Sequence, residues 1–163
     1  MSEGPKKVGS RERVRAFLEA HGAHEGLYEF EQSTKTAQMA ADAMGCELGQ
    51  IVKSLVVVVD GEPVLALVAG DMRGDLKAIA AEVAGTKAKM ADADMVREAT
   101  GYAIGGVSPF DLPDALTVLV DESLERFDTV YPAAGTPSSM VRLKREKLIM
   151  LCGGRMARIS HAS

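Results

Sequence analysis

Residues Gln50 to Asp60 read QIVKSLVVVVD, and the rest of the chain is best understood from this stretch outward. Five aliphatic residues follow one another from Leu55 to Val59, and most are β-branched, so their stiff side chains favour an extended strand. Because the apolar run is continuous, both faces of the strand are predicted to be buried. The pattern therefore indicates a central strand.

Lys53 is the only charged residue on its face of this strand. Successive side chains of a strand alternate, so Lys53 shares a face with Ile51 and Leu55, whereas Ser54 lies on the opposite face. One interpretation is that the apolar stem of Lys53 lies along the protein while its ammonium reaches water. The other is that the ammonium points into a binding pocket, and the pattern alone leaves both open.

Length and composition indicate one ordinary globular domain. The chain has 163 residues, of which 47% are hydrophobic and 26% charged, and this balance argues against a disordered protein. We therefore expect a single domain over residues 1–163, with a loose tail at residues 1–9. The sequence has no apolar run of about 18 residues and no apolar signal segment at its start, so we expect a cytosolic protein without a membrane partner.

The residues that could carry redox, metal or covalent chemistry are few. Cys46 and Cys152 lie far apart without CxxC spacing, and we expect both to be reduced and unpaired. The three histidines form no HExxH or comparable set, so no metal site and no cofactor are expected. The chain also lacks a GxSxG elbow, a Walker loop and a dinucleotide-binding fingerprint. A conventional nucleophile is therefore missing.

Charge is distributed unevenly along the chain. The formal net charge is −4, yet the stretch from Val141 to the end has six basic residues and one acidic residue. The basic residues of this stretch are Arg142, Lys144, Arg145, Lys147, Arg155 and Arg158. Such a segment is either the solvated face of a terminal helix or a set of phosphate contacts.

Periodicity and capping residues predict an α+β fold. Helices are predicted over Ser10 to about Gly22, Thr36 to Met44 with Ser33 or Thr34 as cap, Leu76 to Ala84 with Asp75 as cap, Asp92 to Glu98, and Lys144 to Leu151. Further strands are predicted over Leu27 to Phe30, Val64 to Ala69, Thr86 to Met90, Thr117 to Val120, Thr129 to Tyr131, Ser139 to Leu143, and Met156 to Ile159. Gly70 to Gly74 is predicted to be a turn. We expect a curled, largely antiparallel sheet or open barrel flanked by helices.

The second chemically informative stretch is GGVSP, residues Gly105 to Pro109. Consecutive glycines permit positive φ and close approach of a ligand, so their N–H groups could converge on an oxyanion or a phosphate. The alternative is an ordinary turn, because glycine-rich loops are common. The spacing alone does not decide between them.

Several motifs together resemble the YbaK/prolyl-tRNA synthetase-associated editing domain family. In chain order they read TAQMAADAMG, QIVKSLVVVV with DGEPVLALVAGD, DLKAIAAEVAG, TGYAIGGVSPF, VLVDESL and VYPAAGT. The resemblance covers roughly Tyr28 to Ile159. It implies a compact α/β barrel and hydrolysis of an amino acid wrongly esterified to tRNA, typically proline tRNA carrying cysteine or alanine.

The resemblance also implies roles for individual residues. Lys53 would hold the aminoacyl-adenosine end of the tRNA. The glycine-rich loop would polarise the ester carbonyl or seat the attacking water through its backbone, and its candidate residues are Gly105, Gly106, Ser108 and Pro109. An aminoacyl ester is already activated, so positioning and oxyanion stabilisation can suffice without a protein nucleophile.

The resemblance further implies a substrate pocket, in which this chain departs from the cysteine-clearing branch of the family. The candidate pocket residues are Tyr28, Ser54, Ala133, Gly135 and Met140. Ala133 and Met140 stand where that branch has a serine and an aspartate, so we expect tolerance of alanine, serine and cysteine rather than strict cysteine specificity.

The expected partner is the tRNA acceptor end, with prolyl-tRNA synthetase as a second candidate. Arg142 and Lys144 are the candidate tRNA contacts in the basic C-terminal stretch. The rival hypothesis is a non-catalytic module of the same fold that binds an RNA end or a small molecule, or serves as a partner subunit of a synthetase.

Overall fold

The computed structural model describes residues 9–163, so the predicted tail lies, apart from Gly9, outside the described residues. Its α-helices are α1 (Ser10–Ala20), α2 (Ala37–Met44), α3 (Leu76–Glu82), α4 (Ala93–Thr100) and α5 (Arg145–Cys152). Its strands are β1 (Leu27–Glu29), β2 (Ile51–Val59), β3 (Glu62–Ala69), β4 (Met72–Gly74), β5 (Ala88–Met90), β6 (Thr117–Asp121), β7 (Thr129–Pro132), β8 (Ser139–Val141), β9 (Leu143–Lys144), β10 (Arg155–Ala157) and β11 (Ser160–Ala162).

The predicted central strand is β2, which pairs with three other strands. The main sheet has the order β10-β6-β3-β2-β7-β9, and β5 also pairs with β2. Strand β2 is antiparallel to β3 and β5 and parallel to β7, so the sheet is mixed. The sheet curls into a half-barrel with the helices around it, and the predicted α+β class is confirmed.

Both faces of β2 are covered by apolar side chains, as the unbroken aliphatic run predicts. Val52, Val56 and Val58 belong to the larger core. Val57 and Val59 belong to a second core, which includes Ile79 of α3 and is formed on the opposite face. Each aliphatic side chain that is removed from water contributes roughly 1.5–3 kcal/mol, so this strand organises both halves of the interior.

Two local predictions were wrong for identifiable reasons. Helix α2 is capped by Thr36, whose hydroxyl accepts a hydrogen bond from the Met39 N–H at 3.1 Å, and not by Ser33 or Thr34. The stretch Gly70 to Gly74, predicted as a turn, contains strand β4, because β4 pairs with the distant strand β11. Local composition favours a turn there, and a contact between distant parts of the chain overrides it.

One edge of β2 is covered only in part. Strand β7 pairs with its beginning, at Ile51 and Val52, and β5 pairs with its end, from Val57 to Val59. Between them, no described strand pairs with residues 53–56 on this edge. The opening lies where the functional cavity is formed.

Candidate functional site

A cavity of about 320 Å³ opens at the uncovered edge of β2. Its walls come from the loop before α2 with the start of that helix, from residues 51–56 of β2, from β5 and α4, and from the loop at residues 104–107. Ala133 and Met140, which face each other through an isolated β-bridge, complete the lining. Segments that are far apart in the chain therefore meet at this strand edge.

Lys53 is half-buried and contributes a positive charge to this cavity. Its ammonium donates a hydrogen bond to the main-chain carbonyl of Met72 in β4. Burial lowers the pKa of Lys53, while the carboxylate of Asp71 opposes this effect and the guanidinium of Arg73 adds to it. The ammonium is thus held against the backbone of β4 and does not extend freely into water.

Asp71 is a residue that the sequence reasoning missed. Its carboxylate accepts two hydrogen bonds from Arg126, at 2.7 and 2.9 Å, and this guanidinium holds the pKa of Asp71 below its usual range. Arg126 also donates to the Ser123 carbonyl at 2.7 Å. The pair fixes the residue that precedes Met72, and the only sequence signal was an acidic residue that follows the apolar run of β3 after Gly70.

Ser54 lies on the other face of β2 and also lines the cavity. Among the described residues its hydroxyl oxygen is the one buried side-chain polar atom that has no hydrogen-bond partner. A buried hydroxyl without a partner costs about 1–3 kcal/mol. A polar group of a bound ligand would remove this cost.

The glycine-rich loop is a turn in the wall of the cavity. The Gly106 N–H donates to the Ala103 carbonyl at 3.1 Å, and Gly105 has a φ of 89°, which glycine adopts without strain. Gly105 and Val107 line the cavity, and no described residue accepts a hydrogen bond from either N–H group. Gly106 instead packs on the backbone of Thr136, which an added Cβ would meet at 2.8 Å or less.

Ser108 and Pro109 lie behind the cavity wall rather than in it. Ser108 is fully buried, and its hydroxyl accepts a hydrogen bond from the Phe110 N–H at 3.4 Å. The buried hydroxyl of Tyr102 donates to the Phe110 carbonyl, and burial raises the pKa of Tyr102 to about 12. The guanidinium carbon of Arg13 in α1 lies 4.4 Å from the centre of the Tyr102 ring. These contacts hold the loop in place on the side away from the cavity.

The remaining predicted pocket residues divide into two groups. Ala133 and Met140 line the cavity. Tyr28 is 41% exposed and pairs with Met140 across β1 and β8, outside the lining. Gly135 faces α1, because a Cβ on it would lie 2.8 Å from the Ser10 carbonyl oxygen.

Arg142 and Lys144 line a second hollow of the surface, together with Lys147. This hollow shares no lining residue with the main cavity. Lys35, which sequence reasoning did not single out, is exposed at the main cavity, and its Cβ lies 3.3 Å from where a Cβ on Gly105 would stand. Its signal in the sequence was only its place just before the α2 cap.

The two cysteines are poor candidates for nucleophiles. Burial raises the pKa of both Cys46 and Cys152, so both are protonated thiols near neutral pH. Residues 9–163 contain no cluster of three His, Cys, Asp or Glu side chains that could hold a metal ion. None of the helices described has the length and apolarity to cross a membrane.

The chemistry available in the cavity is that of positioning and charge stabilisation. Lys53 supplies a cation, the turn supplies free N–H donors, and the wall formed by Ala133 and Met140 is apolar. Such a site can hold a small activated ester and stabilise the negative charge that develops when water attacks its carbonyl.

Known proteins resemble this chain over nearly its whole length. It is 38% identical to the uncharacterized protein YwhH of Bacillus subtilis over 140 residues, which cover 85% of this chain and 88% of that protein. It is 33% identical to the multifunctional Ser/Thr-tRNA deacylase ProXp-y of Escherichia coli K12 over 149 residues, or 88% of this chain and 89% of that protein.

Solved structures and a family model agree with these similarities. The crystal structure of a candidate trans-editing enzyme for prolyl-tRNA synthetase superposes with a TM-score of 0.86 at 38% identity, covering 96% of this chain and 100% of that one. The family model for the aminoacyl-tRNA editing domain matches residues 31–151, which include β2, the cavity and the glycine-rich loop. The resemblance inferred from the motifs is thus confirmed, and the chain belongs to the aminoacyl-tRNA editing domain family.

Proposed function

We propose that this chain is a free-standing deacylase that removes a small, wrongly attached amino acid from tRNA, with proline tRNA as the first candidate. The observation that carries the proposal is that one small cavity is lined by Lys53, by Ser54 with its unpartnered hydroxyl, and by two residues of the turn, Gly105 and Val107, whose N–H groups are free. A cavity of about 320 Å³ is at the small end of the range for ligand sites, which suits an aminoacyl group.

In the proposed reaction, water attacks the ester carbonyl and the tRNA ribose hydroxyl leaves. The Gly105 and Val107 N–H groups would donate to the carbonyl oxygen as it becomes an oxyanion, or would hold the attacking water. Lys53 would bind the terminal adenosine or the carbonyl. Because the ester is already activated, these contacts can supply the rate without a covalent intermediate.

The proposed substrates are tRNAs that carry alanine, serine or cysteine. The Ala133 and Met140 wall is apolar and close, so it admits a small side chain but discriminates weakly, by about 10 to 200-fold per methylene. Ser54 adds one hydroxyl that could pair with a serine or cysteine side chain. The E. coli relative that is described as a Ser/Thr-tRNA deacylase lends support to small polar substrates.

The association with proline tRNA rests on similarity to synthetases. The chain is 34% identical to a proline–tRNA ligase of Citrifermentans bemidjiense over 115 residues, which cover 69% of this chain and 20% of the ligase. We propose that the chain performs in trans, in the cytosol where tRNA is charged, what such an inserted domain would do within a synthetase.

The proposal is tested by deacylation assays with the purified protein. Proline tRNA is loaded with alanine, serine, cysteine or proline, and release of the amino acid is followed under one set of conditions. Rapid loss of the three small esters with retention of proline would support the proposal. Absence of release from all of them, combined with tight binding of the tRNA end, would instead support a non-catalytic module.

A further inference from the structure

The uncovered edge of β2 carries main-chain groups that no described residue uses. The Ile51 carbonyl accepts a hydrogen bond from the Gly70 N–H at 2.7 Å. The main-chain N–H and C=O groups of Ile51 and of the next odd-numbered residues of β2 therefore point toward β3. The Val56 carbonyl accepts from the Ala91 N–H on the other side, at 3.0 Å. Because main-chain groups alternate along a strand, the N–H and C=O of Ser54 must point to the same side as Val56.

These groups open into the cavity. The ladders that β2 forms with β5 and β7 include neither Ser54 nor Val56, and outside the ladders no described main-chain group bonds to the Ser54 N–H or C=O or to the Val56 N–H. Ser54 and Val56 both line the cavity. Unpaired main-chain groups on a strand edge can bind an extended ligand, so this row of two donors and one acceptor is a candidate binding edge.

The two ends of the opening set its length. On one side β7 ends at Pro132, opposite Val52, and the next residue, Ala133, forms an isolated bridge with Met140. On the other side Ala91 is bonded to Val56, and α4 begins directly afterwards under the cap of Asp92. Only the position opposite Ser54 is left, which is room for about one strand residue at roughly 3.3 Å per residue.

We propose that the aminoacyl group of the substrate lies on this edge as a strand of a single residue. Its α-ammonium donates to the Ser54 carbonyl, and its ester carbonyl accepts from the Ser54 or Val56 N–H. An aminoacyl ester has the same donor and acceptor as a residue in a strand, so one substrate molecule satisfies both kinds of group. This inference rests on the proposed function and adds how the substrate is read.

The arrangement accounts for a site that accepts several small side chains. The edge contacts read the α-amino ester that all aminoacyl-tRNAs share, whereas the side chain meets only the cavity walls. The ester carbonyl oxygen can accept a second hydrogen bond, so the Gly105 and Val107 N–H groups keep the role that the proposed reaction gives them.

The test is nuclear magnetic resonance of the intact 17.3 kDa protein with a stable substrate mimic. The probe is 3′-deoxy-3′-(L-alanylamino)adenosine, in which an amide replaces the ester. We expect the Ser54 and Val56 amide protons to shift downfield and to exchange more slowly with water on binding. Unchanged Ser54 and Val56 amides, with shifts confined to the glycine-rich loop or with no binding, would overturn the inference.

Two matched ligands test the ammonium contact. The propionylamino analogue has no nitrogen donor, and the N,N,N-trimethylalanyl analogue keeps the positive charge but has no N–H. We expect both to bind about tenfold more weakly than the alanyl probe, or worse, since a hydrogen bond to a charged group is removed. Equal binding of the trimethyl analogue would show that only charge is read and would refute the proposed contact.

A backbone substitution supplies a matched control. Replacing the Leu55 amide by the ester of its hydroxy acid makes the Ser54 carbonyl a weaker acceptor and removes one N–H that faces β3. The same exchange at Ala66, which is opposite Leu55, removes an N–H from the same ladder without altering the edge. We expect the alanyl-to-propionyl affinity ratio to fall only in the Leu55 form, and an equal ratio in both would contradict the proposal.

The outcomes separate this inference from the proposed deacylase activity. Protection of the Ser54 and Val56 amides without hydrolysis of any ester would support the binding mode and refute the proposed reaction. Hydrolysis without protection of these amides would support the reaction and refute the binding mode.

Discussion

At the scale of single residues, Lys53 combines a half-buried stem with an ammonium that rests on the Met72 carbonyl. We expect Lys53→Ala to lower kcat/KM for deacylation about tenfold or more, since each ~1.4 kcal/mol of missing transition-state stabilisation costs that factor. The control is Lys77→Ala, which removes an exposed lysine of α3. A well-folded Lys53→Ala protein of normal activity would contradict the role given to this cation.

The pH dependence of activity follows from the same residue. Burial lowers the pKa of Lys53 from its ordinary value of 10.5, so its positive charge is lost at a lower pH than in an exposed lysine. If the cation is needed, activity above the spontaneous rate falls as pH rises through this lowered pKa. Tyr102 cannot cause such a fall, because its pKa is about 12. Lys53→Arg should abolish the alkaline limb while keeping part of the activity, and a limb that persists would assign it to another group.

The pKa of Lys53 has the opposite effect on folding stability. The unfolded chain keeps this proton to a higher pH than the folded protein does. The cost of burying the ammonium is therefore present below the lowered pKa and is relieved as pH rises toward 10.5. Activity and stability should respond to this proton in opposite directions.

The cysteines provide a test for hidden covalent catalysis. Both thiols have a raised pKa, so neither is a thiolate near neutral pH. We expect the double variant Cys46→Ser and Cys152→Ser to keep its turnover, with some loss of thermal stability because Cys152 is buried. A double variant that still melts cooperatively but no longer turns over would indicate a covalent step.

At the scale of structural elements, the turn at the cavity depends on Gly105. Its φ of 89° costs a non-glycine residue roughly 1–2 kcal/mol, and a Cβ there would also lie 3.3 Å from Lys35. We expect Gly105→Ala to reduce both stability and activity. The control is Gly153→Ala, where φ is 66° and the added Cβ meets nothing within 4 Å, so only stability should fall. If Gly105→Ala and Gly153→Ala lose equal activity after correction for the unfolded fraction at the assay temperature, the loop has no special role.

Most elements could be predicted because their signals are local. The aliphatic run of β2 and the capping Asp75 and Asp92 of α3 and α4 each act within a few residues of chain, and each is present in the structure as predicted. Strand β4 could not be predicted, since its partner β11 lies near the other end of the chain. What makes this short segment a strand is its pairing with that distant one.

The candidate site was only partly predictable for a related reason. Lys53, Ser54, Gly105, Ala133 and Met140 line one cavity, and the roles that the resemblance implies for them stay predictions. The uncovered edge of β2 had no signal in its own sequence. It depends on where β7 stops and where α4 starts, and these ends meet only in the folded chain.

At the scale of the whole molecule, the uneven charge predicts how tRNA binding depends on salt. The net charge is −4, and the stretch from Val141 to the end, with six basic residues and one acidic residue, is the segment that we propose for phosphate contacts. We expect the double variant Arg142→Ala and Lys144→Ala to weaken binding. The slope of the logarithm of the binding constant against the logarithm of the salt concentration should also become shallower, by roughly one unit for each phosphate that is no longer neutralised.

The matched control for this prediction removes two lysines elsewhere. Lys77→Ala with Lys87→Ala makes the same change in net charge at exposed positions that line neither hollow. Its salt slope should match that of the unmodified protein. If only Lys35→Ala changes the slope, the acceptor end approaches over the main cavity and the second hollow has another use.

The pairing of β4 with β11 has a consequence for how the protein is made. The carbonyl that receives the Lys53 ammonium belongs to Met72, and β4 is held in place by Ser160–Ala162. A ribosome synthesises Lys53 and Met72 long before it reaches those residues. A nascent chain can therefore form the β2 and β3 hairpin early. The contact between the Lys53 ammonium and the Met72 carbonyl becomes fixed only after β11 has left the exit tunnel and paired with β4. If Lys53 is needed for deacylation, as proposed, the nascent chain would gain that activity only at this point.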